Sequence, residues 1–510
     1  MLNDFIKILL SLLIWVPILG AVLILLTGGD KNANKARWIA LITSILTLLL
    51  CLPLYFYFNN HTYQMQFQEN LMWILPYNIH YSLGVDGISA PLIMLTAFTT
   101  LLVVIAAWNT IHEKVAQYMA AFLIMQGLVI GVFAATDAIL FYVFWEAMLI
   151  PMYLSIGIWG SANRSYASIK FFLYTFFGSA LLLVVLLYLN HLSSISSFNI
   201  FDFYHIKLSM TQQMWIFTGF LFAFAVKVPM WPLHTWLPDA HTEAPAGGSI
   251  VLAALMLKLG AYGFLRFTLP ITPDASHVLD IFMIVLSLIA IAYIGFVAIA
   301  QTDMKKLIAY SSVAHMGFVV LGCFMVFIII SNTGDLKNAY MSLEGAMVQM
   351  ISHAFSSGAM FLGVGILYER LHSRNIKDFG GVANSMPIFA AFFMLFAMSN
   401  AGLPGTSGFV GEFMIILSGF QASPAIAAFA ATTLILGAAY TLWMYKRVFF
   451  GDCAHAQIST MPDIDFREKI LFTLLTLGVV ILGVYPMPLL NMMGATVDHL
   501  LVLSLQTKVV

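Results

Sequence analysis

Two lysines and two glutamates lie deep within long apolar stretches of this sequence. Glu146 follows AILFYVFW, Lys227 follows FAFAV, Lys258 lies in VLAALMLKLGAYG, and Glu412 follows GFVG, in a chain that is 61% hydrophobic and only 9% charged. A charged side chain at the centre of a membrane helix costs roughly 2.5 to 3.5 kcal/mol on insertion scales. Amines and carboxylates kept at such positions usually serve an ion or proton path, and this pattern predicts one.

Glu146 and Lys227 are the expected partners within this set. An isolated carboxylate in an apolar helix takes up a proton, whereas a nearby lysine keeps it ionised. We therefore expect an ion pair between them. A purely structural pair is the weaker interpretation, because buried pairs often fail to offset their desolvation.

Three histidines extend the set. His315 and His353 lie near the middle of their apolar stretches, and His234 lies in KVPMWPLHTW. Imidazole donates and accepts protons near neutral pH, so two histidines between Lys258 and Glu412 in chain order favour a proton relay. A single intramembrane histidine is often only bonded to a backbone carbonyl, and that alternative is strongest for His234.

Composition indicates what must position these groups. The mean hydropathy is +0.94, and apolar stretches of about 20 residues recur from end to end, which predicts an all-α polytopic membrane protein of about fourteen transmembrane helices. The polar stretches between them are too short for a separate soluble domain. A net charge of -1 leaves no basic tract for nucleic acid.

Two predicted helices are interrupted, the seventh by Pro229 and Pro232 and the twelfth by the glycines and proline of GLPGTSG. Such paired breaks are typical of transporters built from inverted repeats, and two simple proline kinks are the alternative. The predicted divisions are helices 1 to 3 at 1–116, a first five-helix repeat (helices 4 to 8) at 117–270, an inverted second repeat (helices 9 to 13) at 271–452, and helix 14 at 453–510.

Lysine and arginine fall mainly in alternate loops, and the stretch 59–85 contains neither. By the positive-inside rule the basic loops are cytoplasmic, 59–85 is an outer loop, and both termini are periplasmic. Arg266 lies near the outer end of its helix, where we expect its side chain to snorkel to the interface.

The sequence contains no dinucleotide-binding or phosphate-binding glycine motif and no cluster-binding or haem-binding motif. The three cysteines are isolated and have no metal-site spacing. We therefore expect no cofactor or metal on this chain, which must use an ion gradient or energy from partner subunits.

Six segments resemble one known family. They are VFWEAMLIPMYL around Glu146, AFAVKVPMWPLHTWLPDAH around Lys227, LKLGAYGFLRF around Lys258, IAYSSVAHMGF around His315, MISHAFSSGAMFL around His353 and GLPGTSGFVGEF around Glu412. Together they resemble the antiporter-like subunits of bacterial complex I, the proton-pumping NADH:quinone oxidoreductase. The resemblance covers essentially the whole chain. It implies a Glu and Lys pair on helices five and seven, a central lysine on helix eight, a polar axis lined by histidines, and Glu412 at the end of a half-channel.

The resemblance also implies a setting. The chain would be one subunit of a translocase in the bacterial inner membrane, with chains L and N among its partners and with NAD, FMN, iron–sulfur clusters and quinone held by other subunits. It lacks the long lateral-helix extension of chain L, and Glu412 stands where lysine is expected in chains L and N, so the remaining antiporter-like subunit is favoured. Subunits of Mrp-type sodium/proton antiporters and of membrane-bound hydrogenases share the fold and are the alternative. A transporter of an organic solute and a purely structural membrane scaffold are weaker interpretations.

Overall fold

The computed structural model describes residues 6–194 and 196–509. Its helices, several of which are kinked or broken, form one bundle numbered here in chain order. Eleven described helices are long and apolar enough to cross a membrane, and three shorter apolar helices accompany them. The bounds are α1 Leu9–Leu25, α2 Ala33–Cys51, α3 Ser89–Ala106, α4 Val115–Ala134, α5 Ala138–Trp159, α6 Arg164–Leu192, α7a Met210–Lys227, α7b Trp236–Glu243, α8 Ala246–Ile271, α9 Asp280–Ile299, α10 Met304–Thr333, α11 Leu336–Leu371, α12a Pro387–Asn400, α12b Ser407–Ala422, α13 Pro424–Phe449, α14 Phe466–Val484 and α15 Met487–Leu505.

The centre of the bundle consists of three helices. Within their most apolar windows α8 is 100% buried, α11 94% and α10 89%, whereas α2, α6 and α13 are buried by 33% to 39% and form the periphery. Peripheral helices of this kind expose Leu, Phe and Ile to lipid. Lipid tails are as apolar as these side chains, so the side chains need no protein partner. The central helices are shielded from lipid, so polar groups on them face only protein or enclosed water.

A β-hairpin occupies most of the predicted outer loop. Strands β1 (Gln66–Ile74) and β2 (Ile79–Val85) pair antiparallel, and Asn78 adopts a left-handed conformation at the turn with φ 53°. The Glu69 carboxylate accepts hydrogen bonds from the backbone amide and the hydroxyl of Ser11. The hairpin is therefore attached to the beginning of α1, and the side of the bundle that carries it is called the hairpin face below.

Helix α15 lies along the hairpin face, although its length and composition would allow it to cross a membrane. Thr496 accepts from the backbone amide of Gly87, just before α3, at 3.0 Å, and Lys508 donates to the carbonyl of Ile271, the last residue of α8, at 3.4 Å. Near the middle of α15, a Cβ atom on Gly494 would lie 2.9 Å from the hydroxyl of Tyr340, which is close to the start of α11. These contacts all belong to one face of the bundle, so α1 to α14 are the spans and α15 is not.

This arrangement extends the prediction for 453–510, which assigned that interval to helix 14 alone. The interval contains α14 and α15, separated at Tyr485 and Pro486. A proline that begins a new helix leaves the direction of that helix open, and the contacts described above decide it.

The helices predicted to be broken are broken. Helix α7a ends at Lys227, and α7b begins only at Trp236. Helices α12a and α12b are separated by residues 401–406, where Gly402 and Gly405 have φ angles of 77° and 88°, a region that glycine enters at no steric cost. The grouping of the spans into two inverted repeats stays a prediction.

The structure adds irregularities that the sequence does not announce. Helix α8 contains two π-helical turns, Leu252–Met256 and Phe264–Thr268, with Lys258 in the α-helical segment between them. π-Helical turns are rare overall, and those that occur are often found at functional sites.

The expected snorkelling of Arg266 is wrong. Its guanidinium is buried and pairs with the carboxylate of Asp86 at 2.7 Å. The hairpin and α15 cover this end of α8, so the side chain has no lipid interface to reach and finds an anionic partner instead.

The topology predicts opposite outcomes for two reporter fusions. Residue 34 lies at the start of α2 on the face opposite the hairpin, and residue 66 begins β1. Fusions truncated after residue 34 should report the cytoplasm, and those truncated after residue 66 should report the periplasm. Alkaline phosphatase and fluorescent-protein reporters would check this, and finding both positions on one side would contradict the fourteen-span arrangement.

Candidate functional site

Four buried ionisable groups from α8, α11, α10 and α12b lie in one row, here called the polar axis. The Lys258 ammonium is 2.7 Å from His353 Nδ1 and also donates to the carbonyl of Ala253 at 2.5 Å. At the other end, His315 Nδ1 is 2.6 Å from Glu412 Oε1. The two imidazole rings between these pairs have centroids 5.8 Å apart. The row of predicted groups is thus assembled in the order Lys258, His353, His315 and Glu412.

The local structure of α8 positions Lys258 for this contact. Lys258 lies two residues after the π turn that ends at Met256, and its ammonium donates back to a carbonyl within that turn. Its side chain is fully buried. The histidine and the carbonyl therefore replace the water that an amine loses on burial.

Gln349 is a member of the site that the sequence predictions missed. Its amide Nε2 donates to Glu412 Oε1 at 3.1 Å and lies 3.5 Å from His315 Nδ1. Gln349 precedes His353 by four residues on α11, so the two share one helix face, and that spacing is the signal that could have identified it. A Cβ atom on Gly411 would lie 2.7 Å from the Gln349 backbone nitrogen, so glycine is needed for α12b to approach α11.

Glu146 and Lys227 lie close enough to interact electrostatically, but not in the direct ion pair that the sequence predicts. Lys227 Nζ and Glu146 Oε1 are both buried without a hydrogen-bond partner, and the Lys227 ammonium lies more than 4.0 Å from the carboxylate oxygens of Glu146. The Lys227 ammonium instead lies over the rings of Trp145, at 5.3 Å from the centroid, and Phe171, at 5.9 Å. A cation over aromatic faces keeps part of its stabilisation when its anionic partner is withdrawn.

His234 lies outside the polar axis. It is in the break of helix seven, 8% exposed, with Nδ1 unpartnered and its ring near that of Tyr310. The described contacts do not connect it to His315 or His353.

Two further buried groups lie near the end of α7b and at the start of α10. His241 has no exposed surface, leaves both ring nitrogens unpartnered and stacks on Phe361 at 4.3 Å between centroids. Lys305 donates to the carbonyl of Ala244 at 2.7 Å. Lys305 is the second residue of α10 and is only 4% exposed.

The four groups of the polar axis form a row of proton donors and acceptors. Within residues 6–194 and 196–509, no group of three or more His, Cys, Asp or Glu side chains is arranged to hold a metal ion. Each close contact of the polar axis joins an amine, imidazole or carboxylate to another such group, so a proton can be exchanged across it.

Comparisons with known proteins agree with this geometry. The family described as "NADH:quinone oxidoreductase/Mrp antiporter, TM" matches residues 135–437, and "NADH-ubiquinone oxidoreductase chain 4, amino terminus" matches residues 11–136. NADH-quinone oxidoreductase subunit M of Rhodobacter capsulatus is 46% identical over 506 residues, which cover 96% of this chain and 96% of that relative.

Two solved structures share the fold. A chain in respiratory complex I from Thermus thermophilus with bound NADH superposes with a TM-score of 0.87 at 29% identity, covering 98% of this chain and 100% of that one. A chain of the Mrp complex from a Dietzia species superposes with a TM-score of 0.83 at 19% identity, covering 98% of this chain and 100% of that one, which shows the common fold alone.

The relatives also decide between members of the antiporter-like group. Glu412 and the short C-terminal region predicted the antiporter-like subunit other than L and N, and the full-length similarity to subunit M confirms that choice. The chain belongs to the subunit M, or chain 4, family of the NADH:quinone oxidoreductases.

Proposed function

We propose that this chain moves protons across the bacterial inner membrane as a membrane-arm subunit of respiratory NADH:quinone oxidoreductase. The observation that carries the proposal is the polar axis, a row of four ionisable groups at the centre of the bundle. The energy comes from electron transfer in partner subunits, which hold NAD, FMN, iron–sulfur clusters and quinone. Chains L and N are among the partners, and both termini of this chain are periplasmic.

Proton transfer along the axis proceeds between neighbouring groups. The Lys258 ammonium releases a proton to His353, and His315 exchanges one with Glu412, each over a contact shorter than 3 Å. The remaining step lies between the two imidazole rings, whose Nε2 atoms are both buried and unpartnered. A single water molecule bonded to both rings would complete this step.

Glu146 and Lys227 control how protons reach Lys258. With the carboxylate close, Lys227 keeps its proton, and with the carboxylate withdrawn its desolvated ammonium gives the proton up. Close packing supports transfer to α8: a Cβ atom on Gly260, two residues after Lys258, would lie 2.7 Å from the carbonyl of Phe224, one turn before Lys227. The separated arrangement in the structure corresponds to the releasing state.

The first test removes the control pair. Glu146→Ala and Lys227→Ala should each reduce proton pumping about tenfold, because a loss of about 1.4 kcal/mol of electrostatic interaction already changes proton occupancy tenfold. Glu146→Asp retains the charge and should be milder. Proton-gradient and quinone-reductase assays on membranes with matched complex content measure the effect. Glu113→Ala, an exposed carboxylate, is the control, and near-normal pumping in Glu146→Ala would end the proposed control mechanism.

Glu412→Gln tests the end of the axis. Glutamine retains the shape and an oxygen that accepts from Gln349, so the complex should assemble, but an amide does not exchange a proton and the number of protons pumped per NADH should fall. The ratio is measured in sealed membranes, in sodium-free and in sodium-containing medium. A ratio equal to that of the unaltered protein would make Glu412 structural, and a requirement for sodium would favour sodium as the ion.

Gln349 should be important through its hydrogen bond to Glu412. Gln349→Leu removes one of the two hydrogen bonds at Glu412 Oε1 and leaves the contact with His315. A hydrogen bond to a charged group contributes about 1.5 to 3 kcal/mol, so pumping should fall severalfold while net charge is unchanged. The matched control is Gln126→Leu, since Gln126 is equally buried, has no side-chain partner and lies on α4 away from the axis. Equal pumping by both variants would remove Gln349 from the site.

A further inference from the structure

Polar groups continue from Lys258 along α8 toward the hairpin face. Tyr262 follows Lys258 by four residues and so shares its helix face, and the Tyr262 hydroxyl donates to the carbonyl of Phe133 at 3.1 Å. One turn further, Arg266 Nε donates to the Tyr262 hydroxyl at 3.2 Å. The polar axis between Lys258 and Glu412 does not use this branch, although its groups are as deeply buried.

The branch ends in an ion pair between α8 and the residues that precede α3. Arg266 Nη2 donates to Asp86 Oδ2 at 2.7 Å, and the two side chains are 7% and 1% exposed. The other carboxylate oxygen, Oδ1, accepts from the backbone amides of Ile88 and Ser89. Asp86 is therefore held at the start of α3 by the backbone, whereas Arg266 is held only through its long side chain, by Asp86 and Tyr262.

A cavity of about 400 Å³ lies on the far side of the pair. Its walls include Tyr63 from the segment before β1, His205 from the loop before α7a, and His499 from α15. Asp86 and Arg266 also line it. At about 30 Å³ per molecule it has room for roughly thirteen waters. Imidazole and phenol groups around a cavity of this size can transfer protons to water at the hairpin face.

The backbone at Arg266 departs from regular α-helix. Arg266 lies in the π turn Phe264–Thr268, where the hydrogen-bond pattern of the helix is already altered. Its long stem can carry the guanidinium from Asp86 into the cavity without displacing α8, since the cavity already borders it. While the pair is closed, the positive charge of Arg266 repels an arriving proton and occupies the carboxylate that would accept it.

We propose that the Asp86–Arg266 ion pair is a gate through which protons pass from Lys258 to the cavity on the hairpin face, with Asp86 as their acceptor. When Arg266 swings into the cavity, the Lys258 ammonium loses a proton to become the neutral amine, Tyr262 and water pass it on, and the Asp86 carboxylate becomes the carboxylic acid. Asp86 then releases the proton to cavity water and Arg266 returns. This step rests on the proposed function and adds an outlet to it.

Cysteine accessibility tests whether the gate opens. Phe133 is buried on the Tyr262 side of the pair, with its ring 5.2 Å from that of Tyr262. In a Cys453→Ser background, complexes in proteoliposomes with the NADH site outward and a membrane-impermeant maleimide trapped inside would be labelled at Phe133→Cys. We expect labelling to be severalfold faster during NADH oxidation than at rest. Gln64→Cys, on the exposed cavity rim, should react equally in both conditions.

Phe217→Cys is the matched control, because Phe217 is equally buried but packs against Phe324 away from the gate. It should stay unlabelled in both conditions. Labelling of Phe133→Cys that is absent, or that does not depend on turnover, in a complex that pumps normally would overturn the gate and leave the proposed function standing. Normal pumping in both Glu146→Ala and Glu412→Gln would instead count against the proposed function.

A charge-removing pair of variants separates a gate from a structural ion pair. Asp86→Asn combined with Arg266→Gln leaves no unpaired buried charge, so a purely structural pair should tolerate it with unchanged pumping. The gate predicts that protons pumped per NADH fall at least severalfold, while Asp86→Glu, which retains an acceptor, recovers part of the ratio. An unchanged ratio in the double variant would overturn the role of Asp86.

Discussion

The structure depends on one constraint, the free energy of keeping an ionisable group away from water at membrane depth. Such a group must find a partner, because it cannot be left facing lipid. The bundle meets this requirement by enclosing α8, α10 and α11 within the other helices, so that the side chains of Lys258, His353 and His315 meet one another rather than hydrocarbon. The peripheral helices, apolar on their lipid side, are the consequence of that enclosure.

Interruptions of regular helix occur where the charges are. Lys227 is the last residue of α7a, where the carbonyl end of the helix stabilises a cation. Lys258 follows a π turn, and Glu412 lies in the second turn of α12b beyond a break containing two left-handed glycines. Each irregularity leaves backbone groups outside the standard pattern, and such groups are tolerated at this depth only where protein or water satisfies them. The same places therefore provide polar surroundings for the charged groups.

Much of this could be predicted from sequence because it depends on composition along the chain. The fourteen spans, both broken helices and the set of buried charges follow from hydropathy and from proline and glycine positions. The position of α15 does not, since its length and composition would allow it to cross a membrane. Its contacts to Gly87 and Tyr340, and that of the following Lys508 to Ile271, place it on one face. The other site residues could be identified because burying a charge is costly. Gln349 is uncharged, so this criterion did not identify it. The separation of Glu146 from Lys227 depends on side-chain orientation, which chain spacing does not determine.

Helix α15 has a mechanical consequence. Its 19 residues form a rod of about 28 Å, which contacts the start of α11 near its middle, at Gly494, and the end of α8 through Lys508, three residues after the helix ends. Because α15 contacts both helices, it fixes the distance between α8 and α11 on the hairpin face. Relative tilting of α8 and α11 then has its pivot at this face and its largest amplitude at the opposite one. Movement imposed by a neighbouring subunit would therefore widen the bundle as a wedge, from the far side inward.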